Sequence, residues 1–533
     1  MRMVTTRGTR LRSTVLACSV VLGALLGAGA QSATGQTPAT QPDFDALATR
    51  TLRTFEVPGL ALAVVKDGAA VVTKGYGVRW LGDASAVDEH TRFPIASNSK
   101  VFTAAALGIL VDDQKIEWDA PVVRYLPWFQ MWDPWVTREL TVRDLLVHRS
   151  GLGLGAGDLL WWPSSTYSRR QIAERLRYLR PATSFRSAYA YDNVLYLVAG
   201  EVIEAVSGQS WEDFVQARLL TPMGMAQSTT RSSAAATSPN LATPHARVDG
   251  TVRAIARFES DTVNPAGGIV TNAADIARWL GVFLARGQLP GGGRAYSERT
   301  AAELESPVVP MPRGAVRPGL EAARPEFLFY ALGLDVRDYR GHRVLTHTGG
   351  LPGYVSRVLW MPDQRLGIAV LTNQESGAAF DALTYSILDA YLGVHDTDWF
   401  AGYQRAIAAT AGLRAEQARD RDTTRDSTST PSLSLGKYAG TYRDAWYGEI
   451  GLAMENGRLV MRFSHTPSLV GDLEHWQYDT FVVKWRDREL RADAFVTFAL
   501  RPDGSIEQAR MRAVSRETDF SFDFQDLLLE RRP

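Results

Sequence analysis

Ser97 and Lys100 have the types and the spacing of a nucleophile and its base. Residues three apart on a helix are neighbours, so both side chains fall on one face of a helix that begins here. A serine hydroxyl attacks a carbonyl carbon only when a base removes its proton, and a buried neutral lysine can be that base. At the ordinary lysine pKa, only about one lysine in 2500 is neutral at pH 7. The chemistry therefore requires that burial or neighbouring charges lower the pKa of Lys100.

Taken alone, this pair is a weak signal. Ser434 and Lys437 have the same spacing in a polar segment, and the alternative for Ser97 is a helix N-cap beside a solvated lysine. The context of Ser97 is different, because a long apolar helix is predicted from about 97 to 112. If that helix begins at Ser97, the Ser97 amide has no partner within the helix and can bind a carbonyl oxygen that gains charge.

Tyr191 and Asn193 form a second pair, two residues apart and directly before an apolar helical run over 194–200. A phenol near a cationic lysine can shuttle protons, and an asparagine amide can hydrogen-bond both the lysine and a substrate amide. The alternative is that Tyr191 is a core aromatic residue and that Asn193 caps the helix.

Residues 346–350 (Thr-His-Thr-Gly-Gly) follow an apolar strand pattern. Two successive glycines, Gly349 and Gly350, let a substrate approach the backbone closely, and an edge strand offers free N–H and C=O groups. The alternative is a glycine turn between two strands.

Other conspicuous residues carry less information. Five tryptophans could form an apolar substrate wall, although loop tryptophans commonly pack: Trp128, Trp132, Trp135, Trp161 and Trp162. We expect His148 to bond to the backbone rather than to do chemistry. The eight histidines are not closely spaced, so the sequence predicts no metal site, and it has no phosphate-binding loop or basic aromatic patch.

The surrounding elements predict a mixed α/β fold. Asp67-Gly68 between two apolar runs predicts a β-hairpin. The region of about 140–300 has helical patterns, and later strand patterns and helices lie over 327–336, 343–346, 356–361, 367–372, 380–392 and 399–419. This order predicts that the first and last thirds of a domain at 43–398 share one sheet.

The C-terminal part predicts a second domain. Residues 399–434 are predicted as a helix and a polar linker, since 420–434 have almost no apolar side chains. The predicted domain is 435–533, in which residues 436–530 alternate apolar and polar, with turn pairs at Asn456-Gly457 and Asp503-Gly504. About eight short strands fit there, which predicts a small all-β sandwich or barrel.

The N-terminus indicates export. Residues 1–12 have four arginines and no acid, an apolar run follows from about 15 to 30, and Ala28-Gly29-Ala30 has the pattern of a cleavage site. We therefore predict a signal peptide at 1–30 and a periplasmic or secreted protein without a stable membrane span. Two alternatives are a lipidation box at 15–18 and a retained N-terminal anchor helix.

Composition excludes several classes of protein. The 533 residues are 45% hydrophobic and 22% charged, which excludes collagen-like, disulfide-scaffold and wholly disordered chains. Of the 58 basic residues four lie in 1–30, so the mature chain has 54 against 58 acidic residues and no basic field for nucleic acid. Cleavage also removes Cys18, the one cysteine, which excludes disulfides, thiolate catalysis and zinc–thiolate sites.

In this order, the Ser-x-x-Lys of 97–100, the Tyr-x-Asn of 191–193 and the His-Thr-Gly of 347–349 resemble the penicillin-recognising serine hydrolases. The chain is similar to the β-lactamase-related group of class C β-lactamases, D-alanyl-D-alanine carboxypeptidases and related esterases. Landmarks at 141–152, 265–268 and 347–373 agree, and the resemblance covers about 43–395. It implies an α/β (α+β) transpeptidase-like domain with an antiparallel sheet and a helical insert. The block at 436–520 resembles a small β domain often appended to such proteins.

The resemblance implies a role for each residue. Ser97 would be the acylated nucleophile, and Lys100 and Tyr191 would share the role of base. The backbone N–H groups of Ser97 and Gly350 would form the oxyanion hole. Asn193 would orient the substrate amide and Lys100, and the other substrate-binding residues would be His347, Thr348 and Gly349. No metal or organic cofactor is implied.

His347 departs from the family pattern, because the lactamases typically have lysine there. Lysine is cationic at pH 7, whereas an unperturbed histidine is mostly neutral. We hypothesise that this change weakens recognition of carboxylate-bearing β-lactams and favours esters or peptides. A kcat/KM for an anionic substrate that stayed flat from pH 5 to 8 would contradict this electrostatic interpretation.

The sequence therefore predicts an exported serine hydrolase that forms an acyl-serine intermediate on amide, lactam or ester bonds of a small-molecule or peptide substrate. One alternative is a D,D-carboxypeptidase or D-aminopeptidase that acts on peptidoglycan-type peptides. Another, from a different class, is a catalytically idle binding or assembly module, which has no need of all four of Ser97, Lys100, Tyr191 and Asn193. The sequence indicates no oligomeric state.

Overall fold

The structure, a computed structural model, describes residues 41–532. The signal peptide predicted at 1–30 lies outside the described residues. Over 41–532, no helix has both the length and the apolar character needed to cross a membrane.

An eight-stranded antiparallel sheet is the centre of the first three quarters of the chain. Its strand order is β2-β1-β12-β11-β10-β9-β8-β7, so strands from both ends of this region lie side by side, as predicted. Two further pairs, β3 with β6 and β4 with β5, lie outside this sheet. The strands are β1 (Gly59–Lys66), β2 (Ala69–Gly77), β3 (Phe93–Pro94), β4 (His245–Val248), β5 (Thr251–Ala254), β6 (Val270–Thr271), β7 (Val309–Pro310), β8 (Leu328–Tyr330), β9 (Asp335–Tyr339), β10 (His342–Leu351), β11 (Tyr354–Met361) and β12 (Leu366–Thr372).

Helices cover both faces of the sheet. The helices of the described residues are α1 (Phe44–Phe55), α2 (Ser99–Asp112), α3 (Pro134–Glu139), α4 (Arg169–Arg175), α5 (Val194–Ser207), α6 (Trp211–Val215), α7 (Ser232–Ala235), α8 (Asn264–Gly267), α9 (Ala273–Leu284), α10 (Glu298–Glu305), α11 (Gly377–Leu392), α12 (Trp399–Thr423) and α13 (Leu435–Tyr438). The last of these, α13, packs against the C-terminal barrel and not against this sheet. Alternate residues of β1 face opposite sides, so Leu60 and Leu62 pack with α1, α11 and α12, while Ala61 and Ala63 face the core that holds α2, α5 and α9. Strand β1 is therefore apolar throughout.

The C-terminal region is a closed eight-stranded barrel, as the alternating pattern predicted. Its strands are β13 (Gly440–Asp444), β14 (Gly448–Glu455), β15 (Arg458–Phe463), β16 (Val470–Gln477), β17 (Thr480–Trp485), β18 (Ala494–Leu500), β19 (Ile506–Ala513) and β20 (Leu528–Arg531). Pairing of β20 with β13 closes the barrel and leaves it no free edge. The predicted mixed α/β fold with an appended all-β barrel is confirmed.

Two local predictions differ from the structure. The strand predicted over 327–336 is a hairpin of β8 and β9, because Gly333 adopts φ 81° and the chain reverses there. The polar segment predicted as a linker is partly helical, since α12 continues to Thr423. Beyond it, Arg425 donates to the Trp476 carbonyl at 2.8 Å and Ser432 donates to Asp479 at 2.8 Å, so the segment lies against the barrel.

Candidate active site

Ser97 lies where the chain turns from β3 into α2. A short 3₁₀ turn, Ala96–Asn98, precedes the α-helix, and Ala96 adopts the left-handed φ of 48°. Ser356 on β11 fixes this turn to the sheet, because it accepts from Asn98 Nδ2 at 2.8 Å and donates to the Ile95 carbonyl at 2.9 Å. The α-helix therefore begins two residues later than predicted. Ser97 lies in this 3₁₀ turn at the N-terminal end of α2, where amides lack partners within the helix, and it lines a cleft of about 310 Å³.

Lys100 is fully buried beneath Ser97. Its Nζ lies 3.0 Å from Ser97 Oγ, 2.7 Å from Asn193 Oδ1 and 3.0 Å from the Ala266 carbonyl. An ammonium has three N–H donors, and each has an acceptor here. When Lys100 is neutral, its lone pair can instead accept the proton of the Ser97 hydroxyl. The structure thus joins the first predicted pair by a hydrogen bond.

Burial lowers the pKa of Lys100 to about 7, while the negative charges of Asp158 and Asp192 act in the opposite direction. At pH 7 about half of the lysine is then neutral, compared with about one in 2500 at its ordinary pKa. The lowered pKa that the sequence argument required is present. It arises because an ammonium ion loses most of its hydration at this position.

Tyr191 lies next to the lysine, with its ring centroid 4.9 Å from Lys100 Nζ. Burial raises the pKa of Tyr191 far above its ordinary value, and a hydrogen bond with Ser97 opposes this only in part. The phenol is therefore protonated at neutral pH. The two residues do not share one role equally: Lys100 has the lowered pKa that suits a base, whereas Tyr191 stays protonated and can only relay a proton.

Asn193 directly precedes α5, at the position of a helix cap, but its side chain makes no capping hydrogen bond. Its Oδ1 accepts from Lys100, and its Nδ2 donates to Asp158 Oδ2 at 2.8 Å. The capping alternative is therefore wrong for the side chain. Asn193 orients Lys100, and it also lines the cleft.

Sequence reasoning missed Asp158, which is fully buried behind Asn193. Trp161 Nε1 donates to Asp158 Oδ1 at 2.9 Å, and Ser521 Oγ donates to Asp158 Oδ2 at 2.8 Å. Burial raises the pKa of Asp158 to about 7, although these donors and the charge of Lys100 lower it. No motif marks this residue; the one sequence signal is that it follows a glycine-rich turn.

Residues 346–350, the third segment predicted to form the site, lie on β10, whose pairing with β9 ends at Thr346. Thr348 and Gly350 line the cleft beside Ser97. Gly349 does not: a Cβ added there would lie 2.1 Å from the Ile95 carbonyl, so this glycine is needed for close packing of β10 on the Ser97 turn. The expected contact of Gly349 with substrate is replaced by this structural role. Gly350 has open space around its Cα, which suits an amide that binds a substrate oxygen.

His347 is buried and lines the cleft. Its Nδ1 lies 2.6 Å from the Thr348 carbonyl, so that nitrogen carries the proton, and Nε2 accepts from Tyr330 Oη at 3.0 Å. Burial, together with the charge of Lys100, lowers the pKa of His347 to about 3. The histidine is therefore neutral throughout pH 5–8. Titration of His347 in that range, which the sequence hypothesis assumed, is not expected.

The remaining conspicuous residues separate into two groups. Trp161 and Trp162 line the cleft, whereas Trp132 and Trp135 are exposed and lie outside it; Trp128 packs under Arg170. His148 Nδ1 accepts from the Asp192 amide at 3.2 Å, as expected for a backbone contact. Its ring packs 4.3 Å from the Tyr191 ring, so its contribution is to hold the phenol.

The barrel also contributes to the cleft, which the sequence did not indicate. Asp519, Phe520 and Ser521, in the loop between β19 and β20, line the cleft together with Ser97. The Phe520 ring meets the Tyr191 ring edge-on at 5.9 Å. The site is thus assembled from α2, the turn before α5, α8, β10 and the barrel.

Known proteins share this architecture. Residues 44–392 match the Beta-lactamase family, and residues 424–531 match a domain of unknown function, DUF3471. Unguisins hydrolase ungD of Aspergillus violaceofuscus is 26% identical over 494 residues, covering 87% of this chain and 86% of that protein. Penicillin-binding protein 4 of Amycolatopsis lactamdurans is 29% identical over 366 residues, covering 68% of this chain and 92% of that protein.

A solved structure supports the same fold. The octameric penicillin-binding protein homologue from Pyrococcus abyssi superposes with a TM-score of 0.57 at 18% identity, covering 91% of this chain and 98% of that one. The family match alone extends over more than half of the chain. With a serine, a buried lysine and a tyrosine gathered in one cleft, the chain belongs to the β-lactamase family of serine hydrolases, which is related to the penicillin-binding proteins.

Proposed function

We propose that this chain is an exported serine hydrolase that cleaves amide, lactam or ester bonds through an acyl-enzyme on Ser97. The observation that carries the proposal is the hydrogen bond of Ser97 to a buried lysine whose pKa is lowered to about 7. An idle binding module would have no need of a desolvated lysine, because burying an ammonium group lowers the stability of the fold. The export part rests on residues 1–30, and sequencing of the mature N-terminus tests it.

The geometry supports a definite order of proton transfers. Neutral Lys100 accepts the Ser97 proton as Oγ bonds to the substrate carbonyl carbon. The amides of Ser97 and Gly350 hold the oxygen that gains negative charge. Tyr191 gives its proton to the leaving group as the carbonyl–leaving-group bond breaks, and the Lys100 ammonium restores that proton. Attack by water on the ester, with the same groups acting in reverse, releases the acid and regenerates Ser97.

The charge of the cleft bears on the substrate. Among the described residues that line it, Asp335 and Asp519 are acidic and none is lysine or arginine. Burial raises the pKa of Asp335 to about 7, and a bound ammonium would favour its ionised form. These groups disfavour a substrate carboxylate. They support a neutral or ammonium-bearing substrate, and hence an aminopeptidase rather than a carboxypeptidase as the second candidate function.

The acyl-enzyme is tested by covalent labelling. We expect a fluorophosphonate to form one stoichiometric adduct, which mass spectrometry of the digested protein maps to the peptide containing Ser97. Labelling should slow as the pH falls below about 7, because protonated Lys100 cannot accept the proton. Folded protein that gives no adduct with a fluorophosphonate or with a labelled penicillin would favour the binding module.

Substrate charge is tested with matched substrates and one variant. The wild-type protein should hydrolyse a D-alanine anilide with a free amine faster than a chromogenic cephalosporin carrying a carboxylate. His347→Lys restores the family's cation and should raise kcat/KM for the cephalosporin about tenfold, the effect of one additional charge-assisted hydrogen bond. Steady-state kinetics at pH 7 measures both values. If His347→Lys leaves the cephalosporin value unchanged, residue 347 does not govern recognition of the carboxylate.

A further inference from the structure

The barrel reaches the residues beneath the catalytic lysine through the loop at 514–527. Asp523 in this loop is fully buried, and its carboxylate accepts from the Gly157 amide at 2.6 Å and from the Leu159 amide at 3.1 Å. These two amides flank Asp158. The barrel therefore holds the backbone of the short segment that carries the carboxylate next to Asn193.

A second residue of the same loop contacts Asp158 directly. Ser521 Oγ donates to Asp158 Oδ2 at 2.8 Å, and Asn193 Nδ2 donates to the same oxygen at 2.8 Å. Ser521 is buried, and 363 positions separate it from Asp158 in the sequence. A continuous chain of hydrogen bonds thus runs from Ser521 through Asp158 and Asn193 to Lys100.

This chain determines which end of the Asn193 amide meets the lysine. Because Asp158 is an acceptor, the NH₂ group of Asn193 faces it and the carbonyl oxygen faces Lys100. The opposite orientation would place N–H donors against the ammonium and leave the Asp158 oxygen facing a carbonyl. Loss of the Ser521 donor destabilises the ionised carboxylate of Asp158. It therefore also weakens the preference of the Asn193 amide for the orientation in which its oxygen faces Lys100.

We propose that Ser521, supplied by the C-terminal barrel, is a positioning residue of the hydrolytic site, which acts through Asp158 to hold Asn193 against Lys100. This inference rests on the proposed function. It makes the barrel a part of the catalytic apparatus rather than an attached module.

The proposal has a pH signature. The titratable groups that face Lys100 from the surrounding elements are Asp158, Asp192, His148, Tyr191, Tyr196 and His347. The Ser521 hydrogen bond lowers the pKa of Asp158, so Ser521→Ala raises it and reduces the negative charge facing the lysine. The pKa of Lys100 then falls, and the acidic limb of kcat/KM shifts to lower pH. Loss of folded protein would instead scale the whole profile without moving it.

The experiment is a double-mutant cycle of Ser521→Ala and Asp158→Asn in the full chain, with Ser515→Ala as the matched control on the exposed part of the same loop. We expect Ser521→Ala to lower kcat about tenfold with little change in KM, and to shift the acidic limb by about 0.5 pH unit. In the Asp158→Asn background the same change should cost less than about twofold, because both act through one hydrogen bond. Ser515→Ala should match the wild type.

Equal effects of Ser521→Ala in both backgrounds, or an unmoved pH profile, would overturn the positioning role. The proposed function is tested separately from the role of Ser521. If the wild-type protein gives no fluorophosphonate adduct at Ser97, the site is inert and the inference falls with it. If the wild type is labelled normally and Ser521→Ala behaves like it, the hydrolase proposal stands and only the role of Ser521 is refuted.

Discussion

Ser97→Ala should lower hydrolysis of any accepted substrate by about 10⁴-fold or more, because it removes the oxygen that becomes acylated. The substitution deletes one hydroxyl from a partly exposed side chain, and the fold should be retained. The remaining activity would come from the amides of Ser97 and Gly350 and from substrate binding alone. Single-turnover kinetics with a nitrophenyl ester measures the loss.

The chain supplies its own matched control. Ser434 and Lys437 repeat the Ser-x-x-Lys spacing, but both side chains are exposed at α13, so this pair lacks the burial that Lys100 has beneath Ser97. Ser434→Ala should therefore keep the wild-type rate. If Ser97→Ala kept more than a few per cent of the activity and Ser434→Ala lost it, the nucleophile would be Ser434 and not Ser97.

The contrast between the motifs at 97–100 and 434–437 shows which features of the site can be predicted from the sequence. Spacing identifies both pairs equally, and what separates them is burial, which the apolar helix after Ser97 indicates and the polar surroundings of Ser434 do not. The same periodicity predicted the sheet and the barrel strands, because alternation and turn residues are local properties. Asn193 and Tyr191 were identified in the same way, from their place before an apolar helix.

The missed residues depend on contacts that local patterns do not contain. Asp158 acquires its role from Ser521, and nothing in the sequence near either residue shows that the barrel loop meets that turn. Gly349 and Gly350 illustrate the same limit of local sequence patterns. Both glycines were expected to face the substrate, whereas the close approach of Ile95 decides that only Gly350 does so.

Lys100→Met should lower kcat/KM by about 10³-fold or more, since general-base catalysis contributes up to about 10⁴-fold and the other group bonded to Ser97, the Tyr191 phenol, is protonated at neutral pH. Methionine has a similar length and no charge, so the core loses an ammonium ion that was costly to bury. Asn193 Oδ1 and the Ala266 carbonyl each lose a donor, which limits any gain in stability. Near-UV circular dichroism should therefore show a folded variant. Lys115→Met, on an exposed lysine just after α2, should match the wild type.

The pH profile of this variant decides which group is the base. In the wild type, kcat/KM should rise with pH through an inflection near 7, because the lysine accepts a proton only in its neutral form. Burial raises the carboxyl pKa values of Asp158, Asp192 and Asp335 to about 7 as well, so an inflection there does not by itself identify Lys100. The residual activity of Lys100→Met should lack the inflection. If the variant keeps it, one of these carboxylates controls the reaction and Lys100 is not the base.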